Sequence, residues 1–205
     1  MFARVAGLQT LLLFAYPLLV YFALGFASPR AIALCTLGLL AARMALSARA
    51  RLAAFLRVFA PVGAAIAAAA LVSLVWNDPL WLLLAPAFMS AALLAVFASS
   101  LARRETAVET LARAQVGSLS DEEVIYCRRV TVLWSAFFAA NAAIGAALAL
   151  AGSREAWALY TGVIAYVLLG ALFAVEYVYR HWRFRRYVGA PTDAVLRRLF
   201  PPKSL

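Results

Sequence analysis

The sequence predicts an all-α protein, a polytopic transmembrane helical bundle of six spans with both termini in the cytoplasm. Three observations predict it. Hydrophobic residues make up 66% of the chain and charged residues only 14%, far from the balance of an average soluble domain. The net charge is +10 although the mean hydropathy is +0.90. Hydrophobic and basic together describe a membrane protein with basic cytoplasmic loops, not a soluble polyanion binder. Last, when the apolar runs are threaded through a bilayer, all of the 19 Lys and Arg residues except Arg30 and Arg154 fall on one side.

A bilayer core needs about 20 mostly apolar residues per helix. Runs of that kind lie at 8–27, 31–47, 57–75, 80–101, 130–151 and 156–179. The first follows Arg4 and precedes "GFAS", as a signal peptide would, but it is too long for an h-region and Pro17 interrupts it. It therefore reads as a retained span with a bend. The second carries Arg43 in its last turn, where the side chain snorkels to the interface. The outer loops are short, "SPR", "NDP" and "GSRE", with Asn77 and Asp78 as a turn and capping signal. Trp76, Trp81, Trp157 and Tyr160 mark the outer interface and Tyr177, Tyr179 and Trp182 the inner one.

The segment 1–187 is thus one six-helix membrane domain, and 188–205 is a basic cytoplasmic tail. The cytoplasmic loop 102–129 is amphipathic. Val108, Leu111, Ala112 and Val116 recur at helical spacing, and Glu109 to Arg113 is a favourable i,i+4 pair, so a short helix on the inner leaflet is expected. "SDEE" at 120–123 has the capping-box form, which starts the fifth membrane helix near Asp121. Small residues form stripes on the fifth span (Ala139, Ala143, Ala147, Ala151) and the sixth (Gly162, Gly170, Ala174 beside Tyr166), and these two faces are expected to pack together. In the tail, Val195, Leu196, Leu199 and Phe200 alternate with Arg197 and Arg198 until the prolines at 201–202.

Polar groups within the spans are few, and each has a structural and a functional reading. Asn141 is an interhelical hydrogen bond or a polar contact in a substrate path. Glu176 is an ion pair with Arg180, joined by Arg128 and Arg129 of the preceding helix, or a contact at the cytoplasmic mouth. Tyr166 joins Asn141 and Glu176 as a candidate functional polar group. The stretch "EYVYRHWRFRRY" (176–187) is the inner end of the last span. Arg180, Arg183, Arg185 and Arg186 lie at headgroup depth, where each basic residue gains about 1 kcal/mol from anionic lipid. Membrane lipids with anionic headgroups are the partners this implies, and nucleic acid is not.

Cys35 and Cys127 make no disulfide framework, and His181 lacks any partner at metal-ligand spacing. His181 reads as an interfacial or salt-bridged residue. There is no GxSxG, HExxH or Walker sequence, so no catalytic residue, metal or cofactor is assigned and the chain is not read as an enzyme.

The segment "VLWSAFFAANAAIGAALALAGSREAWALYTGVIAYVLLGALFAVEYVYRH" (132–181) resembles the YciB / intracellular septation protein A (IspZ) family. Trp134, Phe137, Phe138, Asn141, Tyr179, Arg180 and His181 occupy the positions of that pattern, and "FAYPLLVYFAL" (14–24) looks like the family's opening helix. The chain is closer still to a related group of bacterial inner-membrane proteins encoded beside aryl-polyene (xanthomonadin-type) pigment genes. Arg128 to Thr131, Trp157 to Tyr160, Gly162, Ile164, Tyr166, Glu176, Tyr177 and Arg180 match that group. The longer loop and the basic tail depart from YciB. The resemblance implies a multi-pass bacterial inner-membrane protein. Its expected role is accessory or scaffolding in cell-envelope biogenesis, with aryl-polyene lipid assembly as one such role and envelope-assembly proteins as partners. Two alternatives stand beside it: a transporter or flippase for an amphipathic lipid, with Asn141, Tyr166 and Glu176 converging, and a membrane-bound acyl or glycosyl transferase.

Overall fold

A computed structural model describes residues 16–47, 53–187 and 192–201. The start of the first expected span, the side chain of Arg43 and the loop at 48–52 lie outside the described residues. Every described element is helical, and no strand occurs among the described residues. In chain order they are α1 (16–23), α2 (Pro29–Ser47), α3 (Ala53–Trp76), α4 (Leu80–Ser100), α5 (Ala107–Val116), α6 (Asp121–Ala151), α7 (Arg154–Leu159), a π-helical turn (Tyr160–Ile164), α8 (Ala165–Phe184) and α9 (Asp193–Leu199).

Among the described residues, three helices are long and apolar enough to cross a membrane: α4 with 21 residues, α6 with 31, and the continuous run Arg154–Phe184 with 31. Shorter apolar stretches occupy Pro29–Ala41 in α2 and Ala60–Trp76 in α3. At 1.5 Å per residue α6 is about 46 Å long, against a hydrocarbon core of about 30 Å. Its polar first turns therefore have length to spare beyond the apolar part.

The chain forms two compact units, and α6 contributes to both. The first comprises Met1–Val96 with Ser135–Tyr166. Its core gathers Val20, Ile32, Ala33, Ala70, Leu82, Leu83, Ala149, Trp157 and Ala158. Backbone groups at the helix ends are met by side chains. Arg30 donates from Nε to the Leu74 carbonyl at 3.1 Å and from Nη2 to that of Val75 at 3.4 Å, placing a cation at the C-terminal end of α3 where the helix dipole favours it. Asn77 takes φ 53° to turn the chain, a conformation asparagine tolerates. The Asp78 carboxylate accepts from the Leu80 amide at 2.9 Å to start α4. Gly152, at φ 80°, ends α6 in the left-handed form that suits glycine, and Ser153 caps α7 by accepting from the Ala156 amide.

Two expectations are corrected here. Trp157, read as an interfacial aromatic, is 1% exposed in the core of this unit. An indole is buried readily when its N–H finds an acceptor, and here that acceptor is the Leu83 carbonyl at 2.8 Å. Most of the two small-residue stripes is left out of the packing, Gly170 and Ala174 of the sixth span being exposed. Ala143, Ala147 and Ala151 are exposed. Close approach occurs at one member of the sixth-span stripe, Gly162, where an added Cβ would stand 2.9 Å from the Leu18 side chain, while at Gly145 it would meet the Ala87 Cβ at an ordinary contact distance of 3.6 Å. The missing side chain of Gly162 thus leaves room for that of Leu18.

The second unit comprises Phe97–Trp134 with Val167–Leu205. Here α5 packs inward through Ala107 and Glu109. Thr106 caps it with a capping box, its hydroxyl accepting from the Glu109 amide and the Glu109 carboxylate accepting from the Thr106 amide. The Ser100 hydroxyl accepts from the Ala107 amide at 2.9 Å and donates to the Phe97 carbonyl at 2.6 Å, so α4 and α5 are tied across the turn. The expected Glu109–Arg113 pair forms at 2.7 Å. That hydrogen bond holds the Arg113 guanidinium above its ordinary pKa. At the start of α6, the Ser120 amide donates to Glu123 Oε2 at 2.8 Å and the Glu123 amide to Ser120 Oγ at 3.4 Å, the expected capping box.

Candidate functional site

In the first unit, the polar residue deepest in α6 is Asn141, 8% exposed. Its Nδ2 donates to the Phe137 carbonyl one turn back at 3.0 Å, and its Oδ1 accepts from the Tyr160 hydroxyl at 3.1 Å. Tyr160 opens the π turn Tyr160–Ile164. That single wide turn changes which side chains face α6, and such turns occur often at functional positions. Thr161 is buried and its hydroxyl donates to the Trp157 carbonyl at 2.7 Å. Tyr166 follows one turn later in the same unit and is half-buried.

In the second unit, the start of α6 and the end of α8 meet through charge and aromatic contacts. Glu176 Oε1 accepts from the Tyr126 hydroxyl at 3.3 Å and pairs with Arg180 Nε at 3.6 Å. Arg183 pairs with Glu122 at 3.1 Å. Arg186 reaches Glu123 at 3.2 Å and the Ser118 carbonyl at 2.7 Å. Arg185 donates to the Pro201 carbonyl at 2.8 Å. The four arginines expected at headgroup depth therefore all have protein partners. The acidic first turn of α6, Asp121 to Glu123, supplies two of them, at the helix end where negative charge is favoured.

The ion pair expected around Glu176 is corrected in its membership. Arg180 belongs to it. Arg128 instead donates to the Leu101 carbonyl at 2.8 Å, and Arg129 makes no ion pair among the described residues. The reason is helical phase. Tyr126 faces Glu176, and at about 100° per residue Arg128 is turned to the far side of α6, whereas Arg129, about 60° from Tyr126, lines the groove beside it without pairing with Glu176.

His181 is 5% exposed. Its Nδ1 lies 2.8 Å from the Tyr177 carbonyl; a carbonyl only accepts, so Nδ1 carries the proton. Its Nε2 faces Asp193 Oδ1 of α9 at 3.9 Å. The Tyr177 ring packs on the imidazole at 4.3 Å, and the Tyr177 hydroxyl bonds with that of Thr192. Arg197 lies over the Tyr187 ring, whose hydroxyl donates to the Leu196 and Phe200 carbonyls. Residues 192–201 thus fold back onto the end of α8. Leu196 is the apolar residue they bury, while Val195 and Leu199 stay exposed.

Between α6 and α8 of this unit lies a groove of about 240 Å³. Tyr126 forms its floor, stacked on Tyr179 at 5.7 Å and edge-on to Phe184 at 5.3 Å. Ile125 and Arg129 line one side, and the Arg183–Glu122 pair closes its outer end.

Of the three candidate polar groups, Asn141 and Tyr166 belong to the first unit, and Glu176 belongs to the second, where it anchors the groove floor through Tyr126. Sequence reasoning missed Tyr126, Glu122 and Asp193. The signal was present for Glu122, because the acidic "SDEE" and the basic "RFRR" place dense opposite charges near the ends of adjacent spans. Both cysteines are free thiols, Cys35 exposed and Cys127 buried. Comparison of the chain with protein-family models, with curated proteins and with solved structures finds no match.

Proposed function

We propose that this chain is a multi-pass bacterial inner-membrane protein with six spans and cytoplasmic termini, serving as an accessory or scaffold factor in cell-envelope biogenesis. The observation that carries the reading is the run 132–181, where the YciB-like pattern coincides with the two longest apolar helices. The one-sided distribution of arginine supports the orientation. The resemblance to proteins encoded beside pigment genes makes aryl-polyene lipid assembly the specific process.

The test is deletion of the gene, scored for pigment and for osmotic sensitivity. Loss of pigment alone supports the polyene role. Osmotic or division defects with pigment intact support a YciB-like role instead, and a strain normal in both respects refutes the proposal. Cysteine-accessibility labelling of single-cysteine variants in the 102–129 loop tests the orientation, since labelling from the periplasm would reverse it.

A second reading, a transporter or flippase for an amphipathic lipid, is favoured by one observation, the π turn at Tyr160–Ile164 bonded to Asn141. It requires that Tyr160→Phe or Asn141→Leu abolish lipid movement in reconstituted vesicles while leaving the fold intact.

A further inference from the structure

We infer that the groove between α6 and α8 holds the phosphodiester headgroup of an anionic phospholipid, with Arg129 as its main contact. The inference rests on the membrane reading above and assigns a ligand to one place within it.

Charge points to an anion. Arg128, Arg180, Arg183, Arg185 and Arg186 each have a protein acceptor. Arg129, exposed on the groove wall, has none among the described residues. A guanidinium presents a planar fork of donors that matches phosphate oxygens. Glu122 offsets Arg183 at the outer end, so the lining retains a single positive charge. That suits a monoanionic phosphodiester better than a dianionic free phosphate.

Order along the groove points to a lipid. The polar end is formed by Glu122 and Arg183, and Arg129 lies two turns further along α6. Continuing one more turn in the same direction, Val132 and Leu133 are exposed on α6, and Val175 is exposed on α8 one turn back from Tyr179. Arg129 thus stands one turn from an aliphatic surface, as the phosphodiester of a lipid stands next to its glycerol and acyl chains. A volume of about 240 Å³ is below the roughly 300–1,000 Å³ of pockets that enclose a whole ligand. It fits a headgroup whose chains lie outside on the aliphatic surface. The aromatic floor is held by the Tyr126–Glu176 hydrogen bond, which makes Glu176 a positioning residue for the groove.

The experiment uses the full chain purified in mild detergent, with phosphatidylglycerol or phosphatidylcholine added and bound lipid counted by native mass spectrometry. The wild type should retain one phosphatidylglycerol in preference to phosphatidylcholine. Arg129→Gln should lower that occupancy about tenfold, the loss expected for one charge-assisted contact, and Arg129→Lys should restore most of it. Arg154→Gln, in an outer loop, should bind as the wild type does. Equal retention by Arg129→Gln, with an unchanged melting temperature, overturns the assignment. So does equal binding of phosphatidylcholine, or displacement of phosphatidylglycerol by millimolar inorganic phosphate, which would mark a free-phosphate site. If the chain fractionates away from membranes, the membrane reading falls as well. If it is membrane-embedded and Arg129→Gln still retains phosphatidylglycerol, only the groove assignment falls.

Discussion

The indole N–H of Trp157 donates to the carbonyl of Leu83 at 2.8 Å, in the turn of α4 that Pro86 disrupts. Proline has no N–H, so the Leu82 carbonyl lacks its usual helical donor. The Tyr16 hydroxyl lies 3.4 Å from that oxygen. Two aromatic donors from distant elements thus serve adjacent carbonyls of one proline-containing helix. Helices in lipid need such partners, because no water reaches the freed groups.

This arrangement predicts a coupling. Tyr16→Phe should cost about 0.5–1 kcal/mol, less in a Pro86→Ala background, where the new amide supplies the donor. Trp157→Phe should cost about 1 kcal/mol and Trp157→Ala about 3–5 kcal/mol. Unfolding in mixed micelles, read as a double-mutant cycle, checks it. A Tyr16→Phe cost unaltered by Pro86→Ala would remove the proposed link.

The Asn141–Tyr160 bond at 3.1 Å should behave as an ordinary interhelical contact. Tyr160→Phe and Asn141→Ala should each destabilise the protein, with a coupling energy of about 0.6 kcal/mol, typical of hydrogen bonds in membrane proteins. A coupling near zero in the same unfolding assay would mean that the pair contributes nothing to packing.

Thr106 is 2% exposed and caps α5. Thr106→Ala should cost about 1–2 kcal/mol and Thr106→Asp much less, because aspartate also accepts at the cap. Hydrogen exchange of the Ala107–Val116 amides should rise in the alanine variant and stay near the wild-type level in the aspartate one.

Asp193 and His181 hold residues 192–201 against α8. Asp193→Ala should free this segment and speed tryptic cleavage at Arg197 and Arg198 by about tenfold, equivalent to about 1.4 kcal/mol of docking energy. Cleavage at the wild-type rate would show that the Tyr177, Arg185 and Tyr187 hydrogen bonds and Leu196 hold the segment without the carboxylate.

Much of the helical architecture was legible in the sequence, for a physical reason. Apolar length, capping boxes and turn residues are local, and each acts on its own few residues. The start of α6 at Asp121, the end of α6 at Gly152 and the Glu109–Arg113 pair could all be read that way. The composition of the Glu176 cluster could not. Whether Tyr126, Arg128 or Arg129 faces Glu176 depends on the rotation of α6 about its axis, and all three lie within one helical turn of sequence.

By itself, the sequence determined that this is a helical chain with segments apolar enough for a bilayer, because hydrophobicity over about 20 residues is a one-dimensional property. It also determined where charge concentrates, at "SDEE" and "RFRR". Tertiary structure decided the rest. It put Trp157 in the core, where its N–H meets a carbonyl in the turn before Pro86. It used Gly162 for close approach to Leu18 and left most of the small-residue stripes exposed. It matched the four arginines at the inner end of the last span, Arg180, Arg183, Arg185 and Arg186, with protein partners and left Arg129 open on a groove. Those outcomes depend on which faces meet, and the facing of two helices is set by the packing of all their side chains at once, not by any stretch of either one.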